Sequence, residues 1–161
     1  ASGSLLWWTA MTDIVDPKTR SRIMSRIRGK DTKPELILRK GLHGLGFRFR
    51  LHRRDLPGKP DMVFPRYRAV IFVHGCFWHG HSCHLFKWPK TREEFWKNKI
   101  ERNRFLDRAN IDILLRNGWR VAVVWECSMR GKHRWPQEEI VTRCAEWLLS
   151  DVTFIEIEGR S

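Results

Sequence analysis

The sequence predicts an α/β fold in which a mixed central sheet is flanked by helices. The predicted elements follow the order helix, three strands, helix, strand, helix, which places helices on both faces of one sheet. The run 69–73 is apolar at every position, as in a strand that is buried on both faces and central in its sheet. A length of 161 residues is within the usual size of one domain.

Two helices are predicted in the N-terminal part. Asp16 is a suitable N-cap, and Pro17 at the first helical position opens a basic helix to about residue 28. Because this helix has little apolar surface, we expect residues 12–30 to form an arm that settles on a partner, preceded by an extension over 1–11. The capping-box spacing of Thr32 and Glu35 predicts a second helix that ends near residues 44–46.

The rest of the predicted domain, residues 31–152, alternates strands and helices. Strands are predicted at 47–51, 61–64, 69–73 and 119–125, and helices at 92–117 and 136–149. Residues 153–161 are expected to be a C-terminal tail, since 157–160 spells a protease-site linker, and neither end of the chain is expected to contribute to function.

The charge balance favours a nucleic-acid partner. Lys and Arg number 31 against 18 Asp and Glu, a formal net charge of +13. Cations placed against phosphates release condensed counterions, which predicts DNA or RNA binding that weakens steeply with salt. A solvated basic surface or attraction to anionic lipid is the alternative. No apolar run approaches the roughly 20 residues needed to span a bilayer, so a soluble protein without a membrane partner is expected.

Three of the four cysteines accompany histidines. Cys76, His81 and Cys83 lie close together in the chain, and Cys127 follows the next predicted strand, where a sheet would return it to the same edge. Thiolates and an imidazole are the ligands of a closed, structural zinc site. His74 and His84 are alternative ligands, and reduced cysteines in an apolar core are the alternative to a metal. The remaining cysteine, Cys144, is interpreted as a core residue.

A second set of polar residues indicates phosphodiester chemistry. Asp61 begins a strand after a proline-rich turn, where a carboxylate could bind magnesium together with the backbone carbonyl of Val73. His79 could take a proton from water and Asp107 could orient its ring. Glu35 could line the site or complete the capping box. The alternatives are a turn aspartate at 61, a zinc ligand or surface histidine at 79, and a solvated helix charge at 107.

Several motifs are similar to those of the very short patch repair endonucleases, over residues 16 to about 149. They are PGKPD at 57–61, VIFVHGCFWH at 70–79, TR at 91–92 with FW at 95–96, GWRV at 118–121 and WEC at 125–127. The resemblance implies a restriction-endonuclease-like core. It also implies a magnesium-dependent nick on the 5′ side of the thymine in a T:G mismatch left by deamination of 5-methylcytosine.

The resemblance also implies residue roles. Asp61 and the main chain of Val73 bind magnesium, His79 is the general base, Asp107 is its partner and Glu35 is a further acidic residue. The implied zinc ligands are Cys76, His81, Cys83 and Cys127. This sequence has Gly80 and Ser82 where the family has a nearly unbroken run of histidines, which strengthens the assignment of His81 as the zinc ligand. It has Val73 where a threonine is familiar, and this change is harmless only if the backbone oxygen binds the metal.

The DNA contacts implied by the resemblance are mostly aromatic. Phe77, Trp78 and Trp96 match a wedge inserted beside the mismatch, Met24 matches a probe from the opposite groove, and His74 is grouped with them as a DNA contact. Opening a mismatched step costs less than opening intact duplex, so exposed rings are expected here. Covering the zinc site is the alternative role for the rings.

The implied partners are double-stranded DNA with a T:G mismatch and mismatch-repair proteins of the MutL type. A monomer in the bacterial cytoplasm, associated with the nucleoid, is expected. A general restriction-like or junction-cleaving nuclease is the alternative enzyme. A zinc module that binds DNA without cutting it is the alternative outside enzymes.

Overall fold

The fold is a five-stranded mixed sheet with helices on both faces. A computed structural model describes residues 32–160. The strands are β1 (Arg50–Leu51), β2 (Met62–Phe64), β3 (Ala69–His74), β4 (Arg120–Trp125) and β5 (Phe154–Ile157). The helices are α1 (Lys33–Gly44), α2 (Glu93–Arg116) and α3 (Gln137–Leu148), and the prediction of a mixed sheet flanked by helices is confirmed. Met24, the arm at 12–30 and the extension at 1–11 lie outside the described residues.

The strand order in the sheet is β1-β2-β3-β4-β5, the same as the order in the chain. β1 and β2 are antiparallel, as are β2 and β3, whereas β3 pairs with β4 and β4 with β5 in parallel. Parallel neighbours need a crossover connection, and α2 and α3 provide the two crossovers. The loops that follow β3 and β4 therefore leave the sheet at one common edge.

Alternate residues of β3 face the two halves of the core. Ala69, Ile71 and Val73 pack in the cluster that contains residues of α1 and α3, and Val70 and Phe72 pack in the cluster that contains Leu114 of α2. This explains why residues 69–73 of the strand are apolar at every position, as the sequence indicated.

Two segments differ from the predictions. The strand expected at 47–51 is reduced to Arg50 and Leu51, because Phe47 and Phe49 pack as ring contacts on Phe64 without extending the ladder. The segment at 153–161, expected as a tail, contains β5, which pairs with β4 and buries Ile157. The residues 154–157 contain a short run of alternating apolar residues, which is typical of a strand, but the same segment overlaps the motif that was interpreted as a protease-site linker.

None of the described helices is both long and apolar enough to cross a membrane.

The final helix, α3, packs closely against α1. A Cβ on Gly41 would lie 2.5 Å from a methyl carbon of Val141 in α3, whereas a Cβ on Gly44, in the same helix, would meet nothing within 4 Å. Valine is stiff at χ1 and gives way only at a cost. Gly41 therefore sets how closely the two helices approach.

We predict that Gly41→Ala destabilises the fold relative to Gly44→Ala. Overpacking costs about 1–3 kcal/mol, of which the higher helix propensity of alanine offsets about 1 kcal/mol, and only that gain applies at Gly44. Urea unfolding of the two variants measures the difference in the free energy of unfolding. Equal stability would show that the contact between α1 and α3 is loose.

Candidate active site and metal centre

The candidate site lies at the edge where β3 and β4 end. The two strands pair in parallel with His74 opposite Trp125, so the segments that follow them start side by side. Cys76 lies on the first of these segments and Cys127 on the second. The sheet therefore joins two parts of the chain that are far apart in sequence.

Four predicted metal ligands meet at this edge. Donor atoms of Cys76, His81, Cys83 and Cys127 all lie within 4.8 Å of one another, and all four cysteines of the chain are free thiols. His81 Nδ1 lies 3.5 Å from Cys76 Sγ and 3.6 Å from Cys127 Sγ. Of the alternative histidines, His84 instead contacts His133, with ring centroids 4.6 Å apart.

The electrostatics of this Cys/His cluster favour a bound cation. The hydrogen bond from Cys76 lowers the pKa of Cys127 to about 4, and the same interaction together with burial raises the pKa of Cys76. Burial lowers the pKa of His81, but hydrogen bonds to Cys127, Glu158 and Cys83 outweigh it and raise the pKa to about 9. Cys76 and Cys127 thus share a proton through their hydrogen bond, and a divalent cation could bind both sulfurs in its place.

A layer of hydrogen bonds surrounds the Cys/His cluster, and sequence reasoning missed it. Glu158 Oε1 lies 2.6 Å from His81 Nε2, and the Gly159 amide donates to Cys127 Sγ at 3.4 Å. Glu126, between β4 and Cys127, is buried and accepts the Cys76 amide at 3.2 Å. No metal-ligand spacing in the sequence identifies such residues, because they bind the ligands and not the metal.

A histidine pair and an aspartate form a second group beside the Cys/His cluster. His79 Nδ1 lies 2.5 Å from Asp107 Oδ2, which α2 carries to the sheet edge. The ring of His74 stacks on His79 with centroids 3.9 Å apart, and its edge meets Trp125. A cavity of about 590 Å³ adjoins the group, and its lining includes His74, His79, Asp107, Arg104, Arg108 and Trp125.

Two buried carboxylates and a histidine form a third group. Glu35, His52 and Asp61 offer donor atoms within 4.8 Å of one another. Glu35 lies 2.9 Å from Arg39 and accepts the hydroxyl of Thr32 at 3.4 Å, but the Thr32 side chain makes no hydrogen bond to the helix backbone, so the expected capping box is incomplete. The sequence around His52 does not indicate that its side chain lies beside Glu35 and Asp61, since His52 directly follows a short exposed strand.

Val73 links the second and third groups. Its backbone amide donates to Asp61 Oδ2 at 2.6 Å, and the next residue in β3 is His74. The contact seen at Val73 therefore involves the amide, whereas the sequence pointed to the carbonyl as a metal ligand. The two polar groups adjoin at the last two residues of one strand.

The expectation that the wedge rings are exposed is wrong for this structure. Phe77, Trp78 and Trp96 are 0%, 8% and 5% exposed and pack on one another with Ile100. Their mutual contacts bury more apolar surface than a loop of separate rings could. Among residues 32–160, the large aromatic side chains that are exposed lie elsewhere, at Trp88, Phe95, Phe105 and Phe154.

A glycine permits the turn between His79 and His81. Gly80 has a φ of +62°, and a Cβ there would lie 2.7 Å from the Arg104 side chain and 2.8 Å from Ile100. A side chain at this position would be strained and crowded. This departure from a run of histidines fits the close packing of the loop on α2.

Comparisons with known proteins agree on one family. The model of the family described as DNA mismatch endonuclease Vsr matches residues 12–85. The DNA mismatch endonuclease Vsr of Escherichia coli is 45% identical over 148 residues, which cover 92% of this chain and 95% of that protein. A type II nicking enzyme of Xanthomonas oryzae is 53% identical over 119 residues, or 74% of this chain and 88% of that enzyme. One from Neisseria meningitidis serogroup A is 45% identical over 122 residues, or 76% and 87%.

We predict that burial of His74 makes the fold sensitive to mild acid. Desolvation first, and the charge of His79 second, hold the pKa of His74 well below its ordinary value of 6.5. Below that pH the unfolded chain binds a proton that the folded protein does not, so stability falls as pH falls, by up to about 1.4 kcal/mol per pH unit. Urea unfolding between pH 7.5 and 5 should show a shallower slope for His74→Asn.

The matched control is His43→Asn, since His43 lies exposed near the end of α1. Its slope should equal that of the unaltered protein. If His74→Asn gives that same slope, His74 takes up its proton in the folded state.

Proposed function

Since the chain belongs to the family of the DNA mismatch endonuclease Vsr, we propose that it nicks one strand of duplex DNA on the 5′ side of the thymine in a T:G mismatch. The observation that carries the proposal is the contact between His79 and Asp107 beside an open cavity, with Asp61 joined to the neighbouring backbone. A base, its orienting carboxylate and a metal-binding carboxylate are groups suited to metal-assisted hydrolysis of a phosphodiester.

His79 is proposed as the general base. Its Nδ1 donates to Asp107, which fixes the tautomer and leaves Nε2 to take a proton from the attacking water. The stacked ring of His74 restricts rotation of the His79 ring. Asp107 thus acts on the water only through His79, as a positioning residue.

Asp61 and Glu35 are proposed to bind magnesium, with the main-chain oxygen of Val73 as a further donor. Carboxylate and carbonyl oxygens suit this ion, and Glu35 and Asp61 are both buried with donor atoms within 4.8 Å of each other. Bound magnesium neutralises charge that develops on the phosphate. Asp61 holds its position through the Val73 amide, and the lone imidazole of the group, His52, is the least suitable donor for this ion.

The basic charge of the chain supports DNA as the substrate. Arg104 and Arg108 line the cavity next to His79, one helical turn apart on α2, where they can contact phosphates. Phosphate contacts of this kind hold the duplex in register without reading its sequence. We propose that the phosphate to be cut enters the cavity between these arginines and His79.

We propose that Phe77, Trp78 and Trp96 read the mismatch by insertion. Because these rings are buried against one another and Ile100, insertion requires their side chains to change conformation and leave this cluster when DNA binds, while Cys76, His79 and His81 keep their positions. A T:G step unstacks at lower cost than a paired step, so this movement is least unfavourable there. Met24 is proposed to contact the opposite groove on the basis of the family resemblance alone.

The Cys/His cluster is proposed to bind one structural zinc. Three sulfurs and one imidazole nitrogen give the tetrahedral, closed shell of a structural site, with no position left for water. Cys76 and His81 bracket the loop that carries His79, so the ion would hold both ends of that loop. The proposed centre therefore stabilises the catalytic residue without taking part in the reaction.

We predict that His79→Ala folds and binds DNA but nicks a T:G duplex about 10² to 10⁴ times more slowly, the usual contribution of a general base. The measurement is single-turnover nicking of a labelled T:G duplex, beside an otherwise identical T:A duplex, with magnesium and with EDTA. The unaltered protein should cut only the T:G duplex and only with magnesium.

His43→Ala is the control, because it removes an exposed histidine from α1 and should leave the rate unchanged. Cutting of the T:A duplex at an equal rate would indicate a general nuclease. Tight binding without any nicking would indicate a DNA-binding module.

We predict that Cys83→Ser loses zinc and is less stable, whereas Cys144→Ser keeps zinc. Both change one thiol, but Cys144 lies in the core cluster between the sheet, α1 and α3, away from the other three cysteines. Metal content by mass spectrometry and the thermal midpoint, each with and without chelator, measure the effect. Equal metal content in the two variants would contradict the assignment of Cys83.

A further inference from the structure

The segment that follows β5 lies against the Cys/His cluster. β5 pairs in parallel with β4, and Ile157 at its end is buried, so the next residues are held in place by the sheet. The Glu158 carbonyl accepts the indole N–H of Trp135 at 2.9 Å, and the Arg160 amide donates to the His133 carbonyl at 2.7 Å. The dipeptide Glu158-Gly159 is thus held by a hydrogen bond to its own first carbonyl and by one from the residue that follows it.

The Glu158 carboxylate binds the side of His81 that faces away from the sulfurs. Its Oε1 lies 2.6 Å from Nε2, while Nδ1 of the same ring points to Cys76 and Cys127. A carboxylate on Nε2 fixes the hydrogen there and leaves the lone pair on Nδ1 for a metal. The His81 ring is also stacked on Trp125, with centroids 4.2 Å apart, so its orientation is fixed in two ways.

Gly159 brings a backbone amide to the Cys127 sulfur. The amide donates to Sγ at 3.4 Å, and a Cβ on Gly159 would lie 2.7 Å from the Cys127 carbonyl oxygen and 3.1 Å from that of His133. Only glycine fits this approach without a shift of the backbone. A donor placed on a thiolate stabilises its negative charge.

We propose that Glu158 and Gly159 are part of the metal centre: Glu158 positions the His81 imidazole for the ion, and the Gly159 amide supports the Cys127 thiolate. This inference rests on the proposed zinc site and assigns to it two residues that do not bind the metal. It gives the segment after β5 a role in metal binding.

The test measures the affinity of the whole protein for zinc by competition with a chromophoric chelator. Glu158→Ala should weaken zinc binding about 10- to 100-fold. Glu158→Gln keeps the size of the side chain and removes its charge, so the decrease in zinc affinity should be smaller than for Glu158→Ala. Cobalt(II) in place of zinc gives a second readout, because reorienting the His81 ring should shift the visible absorption of the bound ion.

Glu146→Ala is the matched control, since it removes an exposed carboxylate from α3, and in the described part of the chain Glu146 has no hydrogen bond to the Cys/His cluster. Its affinity for zinc should equal that of the unaltered protein. If both Glu158 variants also bind zinc as tightly as the unaltered protein and give its cobalt spectrum, the inference is overturned.

The result separates this inference from the proposals it rests on. An unaltered protein that binds no zinc would overturn both the metal centre and the role of Glu158. Nicking of the T:G duplex by the unaltered protein tests the proposed endonuclease activity independently of the role of Glu158. A full complement of zinc with unaffected Glu158 variants would overturn the role of Glu158 alone.

Discussion

The parallel pairing of β3 with β4 is the constraint on which the site depends. It sets His74 opposite Trp125 and so starts two loops from one edge, one with Cys76 and His79 and the other with Cys127. An antiparallel pair would send these loops to opposite edges of the sheet. The crossover helix α2 then places Asp107 next to His79, so the connection that makes the pairing possible also supplies part of the site.

Burial of polar groups is the energetic cost of this arrangement. Glu35, Asp61, His74 and Glu126 are all buried, and an unpaired buried polar group costs several kcal/mol. The three carboxylates each have a hydrogen-bonding partner, an arginine for Glu35 and for Glu126 and a backbone amide for Asp61, whereas burial lowers the pKa of His74 and so favours its uncharged form. The positions of the site residues are therefore fixed by the same contacts that make their burial tolerable.

The sequence was informative where one local signal decided the structure. The continuous apolar run at 69–73 predicted a central strand, and the cysteines and histidines that lie close in the sequence were expected to meet Cys127, as they do in the structure. The sequence was not informative where tertiary contacts decided the structure. Phe47 and Phe49 alternate with polar residues as in a strand but pack as single rings, and the rings of Phe77, Trp78 and Trp96 bury one another. Glu158 and His52 carry no local signal, since only the folded sheet and α1 bring partners to them.

The position of β5 in the chain has a consequence for biosynthesis. A growing polypeptide folds from its N-terminal side, and the loop at 76–83 leaves the ribosome well before Cys127 and β5. Until those residues emerge, reduced thiols remain accessible beside an incomplete sheet. The proposed metal centre therefore cannot be completed during synthesis until the residues downstream of β4 have emerged.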